Sequence, residues 1–109
     1  MSAYMDKTYP SLRVAFKRVH GKTPIAVVIK PEYTYGISDE TAIRVQQTVD
    51  SLSTAWAAIQ TVMDTHKIPV INGHAPQSVE FHKTVRATKC QVEALAKCPH
   101  VKFVELAAA

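Results

Sequence analysis

Between Asp39 and His66 the apolar residues Ala42, Val45, Val49, Leu52, Trp56, Ile59 and Met63 recur in steps of three and four without a miss. Positions so spaced share one side of an α-helix, so the stretch is predicted to be a single helix with one apolar stripe, widened by Ala55 and Val62. Ser38 stands where an N-cap belongs, and Asp39 and Glu40 occupy the first turn, where the helix dipole favours carboxylates. A helix over 39–66 is about 40 Å long, more than a domain this small needs to cover its own sheet. The stripe therefore has two candidate uses. It can cover the chain's own sheet, or it can present Val49, Leu52, Trp56 and Ile59 as the seam of a homodimer or partner interface, with Trp56 as a central anchor.

The rest of the chain supplies the sheet. Leu12, Val14 and Phe16 alternate with Arg13, Ala15 and Lys17, the period of a half-buried strand with a basic outer face. His20-Gly21-Lys22-Thr23 is turn chemistry, and Ile25–Ile29 is apolar on both sides. The two runs are expected to form an N-terminal β-hairpin whose second strand is central. Met1–Pro10 shows no periodicity and is read as a flexible arm. Ile68–Ile71, closed by Asn72-Gly73, is a brief strand or a tight connection, restricted by Pro69, which lacks an N–H donor. Pro76 suits the first turn of a second helix that carries Phe81, Val85, Thr88, Val92 and Leu95 and ends at Cys98-Pro99. His100–Leu106 alternates as a last strand, and Ala107–Ala109 is set aside as a possible remnant of expression. The expectation is one α+β domain over residues 1–109, with a small sheet of three to four strands and two helices in the order β-β-α-(β)-α-β. The helices lie on one face of the sheet or are split across it, and crossover units would be right-handed with parallel strands.

Composition narrows the function classes. At 109 residues, 47% apolar and 20% charged, the chain resembles an ordinary globular domain. No uninterrupted apolar run exceeds five residues, against the ~20 that cross a bilayer. Met1–Lys17 carries no charged-then-apolar leader, so no membrane contact is expected and the cytoplasm is the expected compartment. Cys90 and Cys98 fall in the predicted second helix, where eight residues rise about 12 Å, beyond the ~7 Å that a disulfide spans between Cα atoms. Both are read as reduced thiols. The net charge of +4 is unevenly distributed: +5 over residues 1–30, −4 over 31–66 and +3 over 67–109.

Few motifs carry chemistry. Gly21-Lys22-Thr23 resembles the end of a phosphate loop, but Phe16 stands where the first glycine belongs, and Pro24 with a β-branched run replaces the required helix. His66, His74, His82, Cys90 and Cys98 are spaced by eight; on a helix consecutive members turn ~80° and climb ~12 Å, so they cannot converge on one ion. Cys98, His100 and His74 form a looser set without the short ligand pairs of zinc sites. No metal, cofactor or catalytic residue is assigned. A distant enzymatic option places a site near Tyr33, Tyr35, His74 and His100.

The basic residues of the second helix and the hairpin are the better candidates. Lys83, Arg86 and Lys89 lie broadly opposite the apolar stripe of that helix, and Arg13, Lys17 and Arg18 lie on the hairpin's outer face. A solvated helix face is the simpler account of the former. The reading is a small non-enzymatic interaction protein, an inhibitor or regulator of a larger assembly. It would be dimeric through the first helix and touch an acidic protein surface through these cations. The alternative is a nucleic-acid-binding regulator that uses the same basic residues on phosphates.

Overall fold

A computed structural model describes residues 3–70 and 81–107. Seven elements follow in order: α1 (Ala3–Lys7), α2 (Pro10–Arg18), β1 (Ile25–Pro31), α3 (Thr41–His66), β2 (Lys83–Ala87), α4 (Lys89–Ala96) and β3 (Val101–Leu106). The α+β class and the small sheet hold. Three strands lie in the order β2-β1-β3, with β1 central as its two-sided apolar run requires. Both pairings are antiparallel, Val27 opposite Val85 on one side and Ile29 opposite Val104 on the other. The long connections therefore return the chain in the opposite direction, and no parallel crossover joins strands among the described residues. Single bridges extend the sheet at each margin, Thr8 beside Val104 and Val70 beside Val85.

The N-terminal hairpin is corrected. Leu12–Arg18 is helical, because Pro10 occupies the first turn and Leu12 and Phe16, four apart, are the side chains that bury. Val14, which alternation would turn inward with them, is exposed. The preceding segment forms α1 and docks on the body, where Lys7 Nζ donates to the Cys98 carbonyl at 2.9 Å and Thr8 is buried.

The second helix is also corrected. Its 76–80 portion lies outside the described residues, as do Ile71, Asn72, Gly73 and His74. Residues 83–87 form β2, where Val85 and Ala87 bury while Arg86 faces out. The helix begins at Lys89, marked by a capping box: Thr88 Oγ1 accepts from the Gln91 N–H, and Gln91 Oε1 accepts from the Thr88 N–H. Gln91 Nε2 also donates to the His66 carbonyl, tying the start of α4 to the end of α3.

One apolar cluster joins the helices to a single face of the sheet. Leu12 and Phe16 of α2, Ile59 and Met63 of α3, and Val92 and Leu95 of α4 pack on Val27, Ile29, Val85, Val101 and Val104. The opposite face carries the Lys30–Glu105 ion pair at 2.9 Å and the exposed Arg86. The long helix runs over 41–66 as the stripe predicts, but Glu40 is its N-cap, and Ser38 Oγ instead accepts from the Glu40 N–H. Lys67, left-handed at φ 55°, ends it. The molecule measures 50 × 31 × 27 Å, and 26 helical residues span about 39 Å, so α3 exceeds both shorter dimensions. Its buried residues, Leu52, Ala55, Ile59 and Met63, run from its middle toward its C-terminus. Residues 41–47 are exposed throughout and form a free end beyond the core.

Candidate functional site

Past β1 the chain turns back along α3 as an extended strap, and polar side chains of the helix hold it. Ser51 Oγ accepts from the Thr34 N–H at 2.9 Å, and Thr48 Oγ1 from the Gly36 N–H at 2.8 Å. Gln47 Oε1 accepts from the N–H groups of Ile37 and Ser38 at 3.0 and 3.2 Å. These acceptors do for the strap what a neighbouring strand would otherwise do, satisfying backbone donors. Gly36 makes the close approach feasible: a Cβ there would stand 2.1 Å from the Arg44 carbonyl oxygen.

The strap and the free end of α3 gather apolar surface. Among the described residues nine large apolar side chains are exposed, and five of them, Tyr35, Ile37, Ile43, Val45 and Phe81, belong to the strap, the first turns of α3 and the approach to β2. Ile37 is 91% exposed and Val45 55%. Val45, Thr48, Val49 and Leu52 form the floor of a groove of about 440 Å³, walled by Tyr35, Arg44 and Phe81. The two rings share a neighbour: Tyr33 lies 5.3 Å from Tyr35 and 5.7 Å from Phe81 between centroids. The Tyr33 hydroxyl donates to that of Tyr35 at 3.1 Å, and this bond, with some burial, raises its pKa above the ordinary tyrosine value. The groove continues the stripe that, farther along α3, covers the sheet.

Comparison with protein families, curated proteins and solved structures finds no match for this chain. Its chemistry is therefore read from its own surfaces. Of the four residues expected along a seam, Ile59 is fully buried in the chain's own core and Leu52 nearly so. Trp56 is partly buried against that core, with Lys83 Nζ 4.9 Å from its ring centroid. Only Val49 combines partial exposure with a place in the groove. The open part of the stripe, Val45 and Val49, thus lies two to three turns nearer the N-terminus than Trp56.

The six basic candidates do not form one face. Arg86 lies on the open side of the sheet, Lys83 points to Trp56, and Arg18 ends α2. Arg13, Lys17 and Lys89 do converge, on a cavity between α1, α2 and α4. Arg13 is anchored there, its Nη1 donating to the carbonyls of Met5 and Thr8 at 3.1 and 2.6 Å.

Tyr35 lines the groove, and Tyr33 packs against Tyr35 and Phe81 behind it. His100 uses its carbonyl to accept from the Glu32 N–H, and His74 lies outside the described residues. Cys90 is exposed and Cys98 buried, both unbridged. No group of three metal-ligating side chains occurs among the described residues, and no helix there is long and apolar enough to cross a membrane. Sequence reasoning missed Gly36, Phe81, Tyr4 and Glu93. For Gly36 a signal existed, a lone glycine between Tyr35 and Ile37 just before a helix. Phe81, which fits the stepping of a helix core, instead stands exposed just before β2.

Proposed function

We propose that this protein works by association, and that the free end of α3 with its strap is its contact surface, occupied by a second copy of the chain. The observation that carries the reading is the concentration of exposed apolar residues there: five of nine, clustered on one end of an elongated molecule. Patches of this kind mark interaction sites more often than scattered apolar residues do. The second copy is chosen on charge. Residues 31–50, which build this end, hold Glu32, Asp39, Glu40 and Asp50 against Arg44, a charge of −3, while residues 1–30 carry +5 and residues 67–109 carry +3. Two chains running antiparallel about a two-fold axis let Val45 of one helix meet Val49 of the other, a register that sets Arg44 of each beside Asp50 of the other. Such an isologous arrangement closes on itself and yields a dimer rather than a filament. Tyr35 and Phe81 flank the seam as aromatic anchors, the residue class that dominates interface energetics. Regulation of a larger assembly would then be the work of the dimer.

The test is Val45→Glu, with Val14→Glu on α2 as the control of equal exposure class. The reading expects Val45→Glu to be a folded monomer and Val14→Glu to keep the native mass by sedimentation equilibrium. Tyr35→Ser should weaken association in the same direction. If Val45→Glu keeps the mass of the native chain, this surface is not the contact.

A further inference from the structure

The cavity between α1, α2 and α4 has the make-up of a ligand site distinct from the end of α3. It encloses about 620 Å³, within the range of small-molecule sites, and its wall includes Tyr4, Arg13, Phe16, Lys17, Lys89 and Glu93. The Tyr4 hydroxyl is buried and has no hydrogen-bond partner among the described residues. Native proteins seldom leave such a group unmatched, so it points to a missing partner. Burial first, and the nearby Glu93 next, keep this hydroxyl protonated above the ordinary tyrosine range, with Arg13 pulling the other way. It is therefore a donor at neutral pH. Three cations share its surroundings with one carboxylate. Arg13 is already held by its Nη1 bonds to Met5 and Thr8, and Lys89 Nζ lies 5.7 Å from the centroid of the Tyr4 ring. Among the described residues neither Arg13, Lys17 nor Lys89 has an ion-pair partner. A prepositioned guanidinium costs little ordering when an anion binds.

We propose that this cavity binds a small phosphate monoester with an apolar or aromatic body. Arg13, Lys17 and Lys89 meet the phosphate oxygens, the Tyr4 hydroxyl donates to one of them, and the Tyr4 and Phe16 rings wall the body. A phosphate rather than a carboxylate matches the cation count, because a dianion offers three acceptor oxygens to several donors at once. Glu93 opposes the dianion and so tunes the affinity downward. The site does not depend on self-association and stands or falls separately from it.

The test titrates the full chain with phenyl phosphate and with inorganic phosphate, read by calorimetry and by amide NMR. The site expects saturable binding, tighter for phenyl phosphate, with shifts confined to the residues around Tyr4, Phe16, Gly21 and Lys89. Lys17→Glu and Lys89→Glu each weaken it roughly tenfold or more, the range for a lost charge-assisted bond. Glu93→Gln tightens it. Tyr4→Phe weakens binding without lowering the melting temperature, since the deleted hydroxyl has no protein partner; a purely structural tyrosine would show the reverse. Arg86→Gln on the open sheet face changes nothing. Absence of saturable shifts at the cavity overturns the proposal. So does equal weakening by Arg86→Gln, which would mark diffuse polyanion binding.

Discussion

Replacing Gly36 by alanine tests how the strap is held. The new Cβ would sit 2.1 Å from the Arg44 carbonyl oxygen, where real Cβ atoms keep at least 3.0 Å, so the strap must lift from α3 by about 1 Å. That shift stretches the 2.8 Å bond from the Gly36 N–H to Thr48 beyond hydrogen-bond range. The lost bond costs about 1 kcal/mol, and crowding against backbone adds about 1–3 kcal/mol if it is not relieved. Alanine also stiffens the unfolded chain, which returns roughly 0.4–1 kcal/mol. A net loss of about 1–3.5 kcal/mol follows, or a fall in Tm of about 4–14 °C for a domain of this size. Gly21, with nothing within 4 Å of an added Cβ, is the internal control. The assay is thermal unfolding of both variants with hydrogen exchange at Ile37 and Ser38, whose protection should fall about tenfold for each ~1.4 kcal/mol of local stability lost. Because the strap carries Tyr35 and Ile37, Gly36→Ala should weaken self-association as well. If Gly36→Ala matches Gly21→Ala in Tm and in exchange, the close approach of strap and helix is wrong.

Other expectations concern the body of the fold. Ile59→Ala, at a fully buried core position, should lower stability by about 2–5 kcal/mol, seen as a reduced urea midpoint with an unchanged slope. Thr88→Ala removes the capping box of α4 and should cost about 1 kcal/mol, read as a drop in Tm of about 4 °C. The hydrogen bond from Lys30 to Glu105, and then their charge attraction, raise the Lys30 pKa. A raised lysine contributes stability that is complete below its unfolded value and is lost as pH rises through the folded one. Glu105→Gln should therefore flatten the alkaline end of a stability–pH curve, measured by urea unfolding across that range.

The sequence made some elements plain and hid others for physical reasons. The α3 stripe and the Ile25–Ile29 run were legible because burial alone dictates them, periodic in one case and two-sided in the other. Leu12-Val14-Phe16 was ambiguous, since i, i+2 and i+4 satisfy a strand while i and i+4 also satisfy a helix; Pro10 at the first turn decides it. Phe81, Val85, Thr88, Val92 and Leu95 step like a helix by coincidence across a strand–helix junction. Thr88 and Gln91, three apart, marked the true start. At the groove, the apolar character of Val45 and Val49 was readable, but where the sheet ends beneath α3 was not. That boundary, which buries Leu52 and Ile59 and leaves Val45 open, is set by tertiary contacts. The strap was invisible because its partners are side-chain oxygens of Gln47, Thr48 and Ser51, which leave no periodic trace.

The most direct measurement of the central claim is the solution mass of the native chain by light scattering across micromolar concentrations. Association through the free end of α3 predicts a particle of twice the 12.0 kDa chain that dissociates on dilution. A mass that stays at one chain throughout would contradict it.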